Sequence, residues 1–470
     1  MSQIIKQKTK KVASLNTKQQ LTYKDIITLL DSKWNTALMG LNTKKIAQLD
    51  KALGNPSSKI KAIFVGGTNG KSVTINFATQ LLINEGLKVG SLYNPHFNIY
   101  NERIAHNNES ITNNAFTDVA NEVINAAATL GEDFHARELL TMMAITYFAQ
   151  QKVDAAVLEI IDNMYDPAMI CNPIISGITR ITDYVEGESE NTIKKQIETF
   201  KSIIKKDAWI ISADQSKFTL QTLEEMTKKG NAQWAMPIRK LAALKYPFEQ
   251  LHGRCAALAE RIAQIFIQEF ADSQKVVVNE SLLAKTKGRR GRPTLEAKKQ
   301  SELNPKKTVE QFWQETINTL PSRFEFLAKN KPAILLDNAN NIDAFKNLLL
   351  GIRLLHYARA LKGLVIIIGC ENNTLLNTEF YKMIRYFFKK TAGQVVFCPI
   401  EKDAQHQDKP WDVEQITNDI KNVKVKAKST KSLSQALDYA QKAVDEQNGL
   451  IVVTGSRAII AEYLKITAKK

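Results

Sequence analysis

The sequence predicts an α/β protein built as two sheet-containing units joined by a basic segment. Three observations lead there. Short apolar runs rich in β-branched residues alternate with amphipathic stretches along most of the chain. The run Ala62-Ile63-Phe64-Val65 ends at two glycines and opens into Val73–Asn84, whose apolar residues recur at helical spacing. Residues 271–319 interrupt the alternation, and a second alternating series follows them. A chain of 470 residues is too long for one ordinary core. The division expected is a basic tail over 1–20, a larger domain over 21–270, a basic insertion over 271–319 and a smaller Rossmann-like domain over 320–470.

Composition excludes several classes. The apolar content of 44% is that of a globular protein. No apolar run is long enough to span a bilayer, and Met1–Lys11 lacks the apolar core of a secretory signal, so a cytoplasmic protein with no membrane partner is expected. Cys171, Cys255, Cys370 and Cys398 lie far apart without paired spacing, which argues for reduced, mostly buried thiols. The formal charge of +16 is localised: residues 1–12 hold four lysines, and residues 285–307 hold nine Lys or Arg against two Glu. The charge describes two appendages more than the body, although a mildly basic body suits anionic substrates.

Taken in order, Tyr23–Leu30 and Thr43–Leu53 read as short amphipathic helices, the second stopped by Gly54-Asn55-Pro56. The stretch Gly66-Gly67-Thr68-Asn69-Gly70-Lys71-Ser72 then reads as a phosphate loop between a strand and a helix. Backbone N–H groups of Gly67, Thr68, Asn69 and Gly70 at a helix N-terminus favour an anion. Lys71 adds a point charge for the outer phosphates of ATP, and the Ser72 hydroxyl suits Mg²⁺. The loop is a shortened form, since Val65 stands five before Gly70 and the first glycine is displaced to Gly66.

Gly86–Tyr93 reads as a turn and second strand, and Glu138-Leu139-Leu140-Thr141 opens a helix. Val153–Glu159 is a buried strand ending in a carboxylate, placed where ligands bind in open α/β sheets. Ile174–Thr179 and Asp207–Ala213 are further strands, Asn191–Ile204 a helix, and Cys255–Phe270 an alanine-rich helix. In the second unit, Ala333–Leu336, Leu364–Ile368, Val395–Cys398 and Leu450–Val453 are strands separated by amphipathic stretches.

The stop Leu53-Gly54-Asn55-Pro56 followed by Gly67-Thr68-Asn69-Gly70-Lys71 resembles the folylpolyglutamate synthase and dihydrofolate synthase family of the Mur ligases. Asn94-Pro95-His96-Phe97 with Asn101-Glu102-Arg103-Ile104, Pro321-Ser322-Arg323-Phe324-Glu325, Asp337-Asn338-Ala339-Asn340-Asn341 and Val453-Thr454-Gly455-Ser456 resemble further family elements. The resemblance implies a Mur-ligase-type ATP-binding domain followed by a ligase domain, a monomer that joins L-glutamate to a folate or dihydropteroate with ATP and Mg²⁺. It implies Lys71, His96 and a carbamylated Lys201 as catalytic groups, Arg323 and Asp337 as nucleotide contacts, and Ser72 and Glu159 as metal ligands. Asp183 is expected to supply metal-binding oxygen in place of the family's histidine.

The chain also departs from the pattern. Ile161-Asp162-Asn163-Met164-Tyr165 replaces a glycine-rich loop, Thr182-Asp183-Tyr184 replaces an Asp-His pair, and Asn340 stands where the family has a histidine. These losses leave open an alternative, a catalytically impaired ATP-binding protein. The run Lys285-Thr286-Lys287-Gly288-Arg289-Arg290-Gly291-Arg292-Pro293 resembles an AT-hook, whose arginines enter a narrow minor groove; a plain basic connector is the competing reading. If 285–299 contacts DNA, deleting it abolishes retention on DNA at moderate salt, because binding there is mostly phosphate charge; unchanged retention removes that reading.

Overall fold

The computed structural model describes residues 20–34, 43–161, 166–182, 189–213, 215–237, 247–272, 320–370, 378–401 and 412–468. Among them stand two sheets. The first unit runs α1 (Tyr23–Trp34), α2 (Thr43–Ala52), β1 (Ala62–Gly66), α3 (Lys71–Asn84), β2 (Val89–Leu92), β3 (Ile104–His106), β4 (Glu109–Ser110), α4 (Asn113–Leu130), α5 (Ala136–Gln151) and β5 (Ala155–Glu159). It continues with β6 (Pro173–Ile178), α6 (Glu190–Glu198), β7 (Trp209–Ser212), α7 (Lys217–Lys229), β8 (Gln233–Ala235) and α8 (Pro247–Glu269). The second runs β9 (Glu325–Leu327), β10 (Ala333–Leu336), α9 (Ile342–Ala358), β11 (Leu364–Ile368), α10 (Thr378–Lys390), β12 (Gln394–Phe397), α11 (Val413–Asn422), β13 (Ala427–Ser429), α12 (Leu433–Ala443), β14 (Leu450–Thr454) and α13 (Arg457–Ala468).

The first sheet has the order β4-β3-β2-β5-β1-β6-β7-β8 and the second β13-β12-β11-β14-β10-β9. Pairing is parallel except at the β2-β3-β4 edge and at β9. Strands in the middle of such sheets are covered on both faces and so are apolar without alternation: every residue of β1, β5, β11 and β14 is buried. One face of the first sheet packs Phe64 and Leu158 against α1, α2, α4 and α5, and the other packs Ile63, Val65 and Val157 against α3 and α8. The second sheet is covered likewise, by α9, α10 and α11 on one face and by α12 and α13 on the other.

The two units touch. Phe97, from the loop after β2, is 9% exposed and buried in the second sheet's cluster with Ile459, Ile460 and Tyr463. That loop is shaped by Glu102, whose carboxylate accepts hydrogen bonds from the Phe97, Asn98 and Ile99 amides at 2.7, 3.1 and 3.2 Å.

Several sequence boundaries shift. Helix α8 begins at Pro247 instead of Cys255, consistent with proline's suitability for a first helical turn. The helix expected over Asn191–Ile204 ends at Glu198 and tightens into a 3₁₀ turn over Thr199–Ile203. Spacing of three turns Phe200 and Ile203 into the core and leaves Lys201 exposed. The tail over 1–20 lies outside the described residues except for Gln20, as does the insertion beyond Asp272 up to Leu320, including 285–299. None of the four cysteines forms a disulfide and all but Cys255 are buried, as their spacing predicts. None of the described helices is long and apolar enough to cross a membrane.

Gly90 in β2 shows how tightly the first sheet is covered, since a Cβ there would lie 2.5 Å from a ring carbon of Phe148. Gly90→Ala should therefore cost about 1–3 kcal/mol through overpacking. The check is a lower urea midpoint at unchanged slope.

Candidate functional site

The site is a cavity of about 480 Å³ at the C-terminal ends of the strands, between the two sheets. The first unit lines it with Thr68–Thr74, Asn94, Pro95, Glu159, Thr179, Arg180, Arg254 and Cys255. The second unit lines it with Arg323, Phe324, Asp337–Asn340, Asp343, Ala344 and Asn347.

The phosphate loop joins β1 to α3 by a conformation that requires glycine. Gly67 has φ +124°, and a Cβ there would lie 2.2 Å from Thr179 Oγ1. Gly70 caps α3 with φ +91°, and a Cβ there would lie 2.7 Å from Cys255 Sγ. The loop leans on the end of β6: the Thr68 amide donates to Arg180 O at 2.9 Å, and Thr68 Oγ1 accepts from the Thr182 amide at 2.9 Å. Lys71 Nζ folds back onto the loop, donating to Gly67 O at 2.9 Å and Thr68 O at 3.2 Å. The residues of the first turn of α3 line the cavity, and helix geometry leaves their N–H groups without intrahelical partners.

Beside the loop lies a buried carboxylate. Glu159, 2% exposed, accepts from Ser72 Oγ and from the Asn94 amide, each at 3.1 Å on Oε2. Burial raises its pKa, while Lys71, the Asn94 amide, Arg323 and Ser72 oppose that rise. The second unit delivers Arg323 to the same place: Nη2 donates to Ser72 Oγ at 3.2 Å, and the guanidinium lies 4.7 Å from the Phe97 ring centroid. Its Nη1 is buried with no hydrogen-bond partner. Asp337 stands behind Arg323, accepting from the Phe324 and Ala339 amides, each at 2.9 Å.

Of the residues expected at the site, Thr68, Asn69, Gly70, Lys71, Ser72, Glu159, Arg323 and Asp337 line one cavity, with Gly67 in the loop that frames it. Two others are placed elsewhere. Lys201 is exposed on its 3₁₀ turn and is not among the residues that line the cavity. His96 is 6% exposed and lines a separate cavity of about 280 Å³ with Tyr100, Arg457 and Lys465. Its Nδ1 accepts from Arg103 Nε at 2.8 Å and its carbonyl from Arg457 Nη1 at 3.1 Å, which holds its ring away from the loop. Asp183 and residues 162–165 lie outside the described residues.

Asp166, just beyond the end of β5, has a local structural part. It accepts from the Ile161 and Ala168 amides, each at 3.0 Å, and pairs with Arg137 at 2.8 Å. Sequence reasoning passed over Arg180, although its position just beyond β6 was a signal. Among the described residues no three His, Cys, Asp or Glu side chains cluster to hold a metal; in this cavity Ser72 Oγ lies 3.1 Å from Glu159 Oε2.

Residues 322–457 match the family model described as Mur ligase, glutamate ligase domain. The dihydrofolate synthase/folylpolyglutamate synthase of Bacillus subtilis is 28% identical over 222 residues, 46% of this chain and 48% of that protein. The chain thus spans about half the length of the first curated relatives it matches. A Mycobacterium tuberculosis folylpolyglutamate synthase crystallised with ADP superposes with a TM-score of 0.72 at 18% identity, over 95% of this chain and 98% of that one. A bifunctional folylpolyglutamate synthase/dihydrofolate synthase crystallised with Mn, AMPPNP and L-glutamate superposes at 0.68 and 16% identity, over 96% of this chain and 100% of that one. The chain is similar in sequence to folylpolyglutamate and dihydrofolate synthases over about half of their length, and it shares the two-unit α/β fold of the solved structures.

Burial pushes the Asp337 carboxyl from 3.8 up to about 6, against the Phe324 amide, Arg323 and the Ala339 amide. The folded protein therefore holds this proton more tightly than the unfolded chain does. Its contribution to stability is fully present below the unfolded value and is lost as pH rises through about 6. In denaturant titrations across that interval, Asp337→Asn should lose part of the fall in stability that the unsubstituted protein shows; parallel curves would count against the assignment.

Proposed function

We propose that this chain is an ATP-dependent ligase that adds L-glutamate to a folate or dihydropteroate carboxylate, acting in the cytoplasm with Mg²⁺. The observation that carries the reading is Arg323, delivered by the sheet that matches a glutamate ligase domain to the Ser72 and Glu159 of a phosphate loop.

The residues present fit both a nucleotide and a divalent ion. A buried guanidinium nitrogen without a partner, Arg323 Nη1, calls for an anion at this point of the cavity. Gly67 and Gly70 keep the loop backbone open to close approach. Ser72 Oγ and Glu159 Oε2 are hard oxygen donors of the kind Mg²⁺ takes, with nucleotide and water oxygens completing its shell. When bound, that ion supplies charge neutralisation on the transferring phosphoryl group.

A carboxylate reacts poorly with an amine because oxide is a poor leaving group. In the proposed reaction the substrate carboxylate oxygen attacks the γ-phosphorus of ATP, the bond to the β,γ-bridging oxygen breaks, and ADP leaves with that electron pair. The glutamate amine then attacks the acyl carbon, loses a proton and expels inorganic phosphate. Catalysis of both steps is mostly alignment and charge stabilisation. Lys71 exchanges its loop carbonyls for the outer phosphates, and Arg323 turns its unpaired edge to them. Asp337 and the Phe324 amide it holds keep Arg323 in place. Cavity residues come from both sheets, so docking of the sheets assembles the site.

Incubation with Mg-ATP, L-glutamate and a panel of pteroates and folates, followed by mass measurement, should show added glutamyl units. Nucleotide binding without added units across the panel would move the assignment to an impaired nucleotide binder. Lys71→Ala should lower product formation on the order of 100-fold or more with little change in unfolding midpoint, and Glu159→Gln should lower product formation comparably through the ion; product yields that survive both changes would refute these roles.

A further inference from the structure

Asn69, the third residue of the loop Gly67–Gly70, directs its side chain mainly to the second sheet, with a longer contact of 3.4 Å to Thr182 Oγ1 in the first. Its Nδ2 donates to Asn341 Oδ1 and to Asp343 Oδ2, each at 3.0 Å. Asn341 Nδ2 donates back to Asn69 Oδ1 at 2.9 Å, so the two primary amides face each other in a closed pair. Asn341 is fixed from behind as the N-cap of α9, its Oδ1 accepting from the Ala344 amide at 3.0 Å. Asp343 also pairs with Arg180 at 3.0 Å, and the carbonyl of Arg180 accepts the Thr68 amide of the loop at 2.9 Å. The contacts make a ring: from the loop to the start of α9, from there to the end of β6, and back to the loop.

A reciprocal amide pair tolerates little change in distance or orientation, because both hydrogen bonds need near-linear geometry at once. Undocking the second sheet would break both, and would leave Arg180 without its carboxylate while its backbone still carries the loop. The shape of the phosphate loop and the docking of the sheets are thereby coupled.

We propose that Asn341 and Asp343 are positioning residues that act through Asn69 and Arg180, holding the phosphate loop in its nucleotide-accepting shape, so that nucleotide is held tightly only while the second sheet is docked. The proposal rests on the reading that this cavity takes a nucleotide. By reciprocity, a nucleotide in the loop favours docking to the same degree.

The test uses the full chain and ADP, with calorimetric affinity and hydrogen exchange as readouts, neither of which needs ligation. Asn341→Ser keeps a helix-capping hydroxyl but is too short to reach Asn69; Asp343→Ala removes the ion pair with Arg180. Each should weaken ADP binding roughly five-fold or more, and each should speed exchange at residues 66–72 in the nucleotide-free protein. A double variant Asn69→Ala/Asn341→Ser should be no weaker than Asn69→Ala alone, since the contact that Asn341→Ser removes is already lost in Asn69→Ala. Wild-type ADP affinity together with unchanged exchange at 66–72 in both single variants overturns the proposal. So does a loss confined to α9, seen as faster exchange over 342–358 and a lower unfolding midpoint alone. Failure of the unsubstituted protein to bind ADP would instead overturn the nucleotide reading beneath it.

Discussion

A carboxylate taken out of water must be compensated locally, and Glu159, at the buried end of β5, sets that requirement for this molecule. Its compensation comes from four directions: the Ser72 hydroxyl, the Asn94 amide, the charge of Lys71 and the charge of Arg323. Three belong to the first sheet. The fourth is carried by the second, so the electrostatics of Glu159 are complete only when both units are present. Removing Arg323 would leave the buried carboxylate poorly matched, and removing Glu159 would leave a buried guanidinium in the same position.

That constraint explains much of the local architecture. The cis Asn94-Pro95 segment presents an amide to Glu159, and the next residues pass Phe97 into the second sheet's core while the Glu102 carboxylate ties their amides together. Phe97 in turn packs under the guanidinium of Arg323. Behind Arg323, Asp337 holds the Phe324 amide, and Phe324 sits at φ +53°, so the chain turns sharply where it delivers the arginine. The apolar contact and the charge contact between the units are thus neighbours, which lets burial of an aromatic ring stabilise the placement of a charge.

The buried polar network beside this cavity follows the same logic. Arg103, 1% exposed, is held by His96 Nδ1 and Asn94 Oδ1 with Trp34 and Tyr100 rings beside it, and burial lowers its pKa to about 9. His96 is therefore part of the scaffold that shapes the 94–103 loop. A histidine committed at Nδ1 to a buried arginine is poorly placed to serve the phosphate loop on the other side of that segment.

Much of the fold was legible because its signals are local. Runs such as Ala62–Gly66, Ala155–Glu159 and Leu450–Thr454 are apolar throughout, which is what strands buried on both faces require, and the order of strand, glycines, Lys71 and Ser72 marks a phosphate loop by its backbone needs alone. The strand-end position of Glu159 could be read the same way, whereas Arg323 and Asp337 are reached only through the family resemblance of their motifs. Lys201 and His96 could not, because which way a side chain faces after a 3₁₀ turn or inside a buried loop depends on what packs around it. Nor could the pairing of Asn69 with Asn341, since those amides are 272 residues apart and meet only because one sheet docks on the other. The sequence by itself determined two sheets, a glycine-rich loop between strand and helix, and the candidate residues of the site; only the tertiary structure decided which of them share one cavity, because that is set by contacts between units that no local pattern encodes.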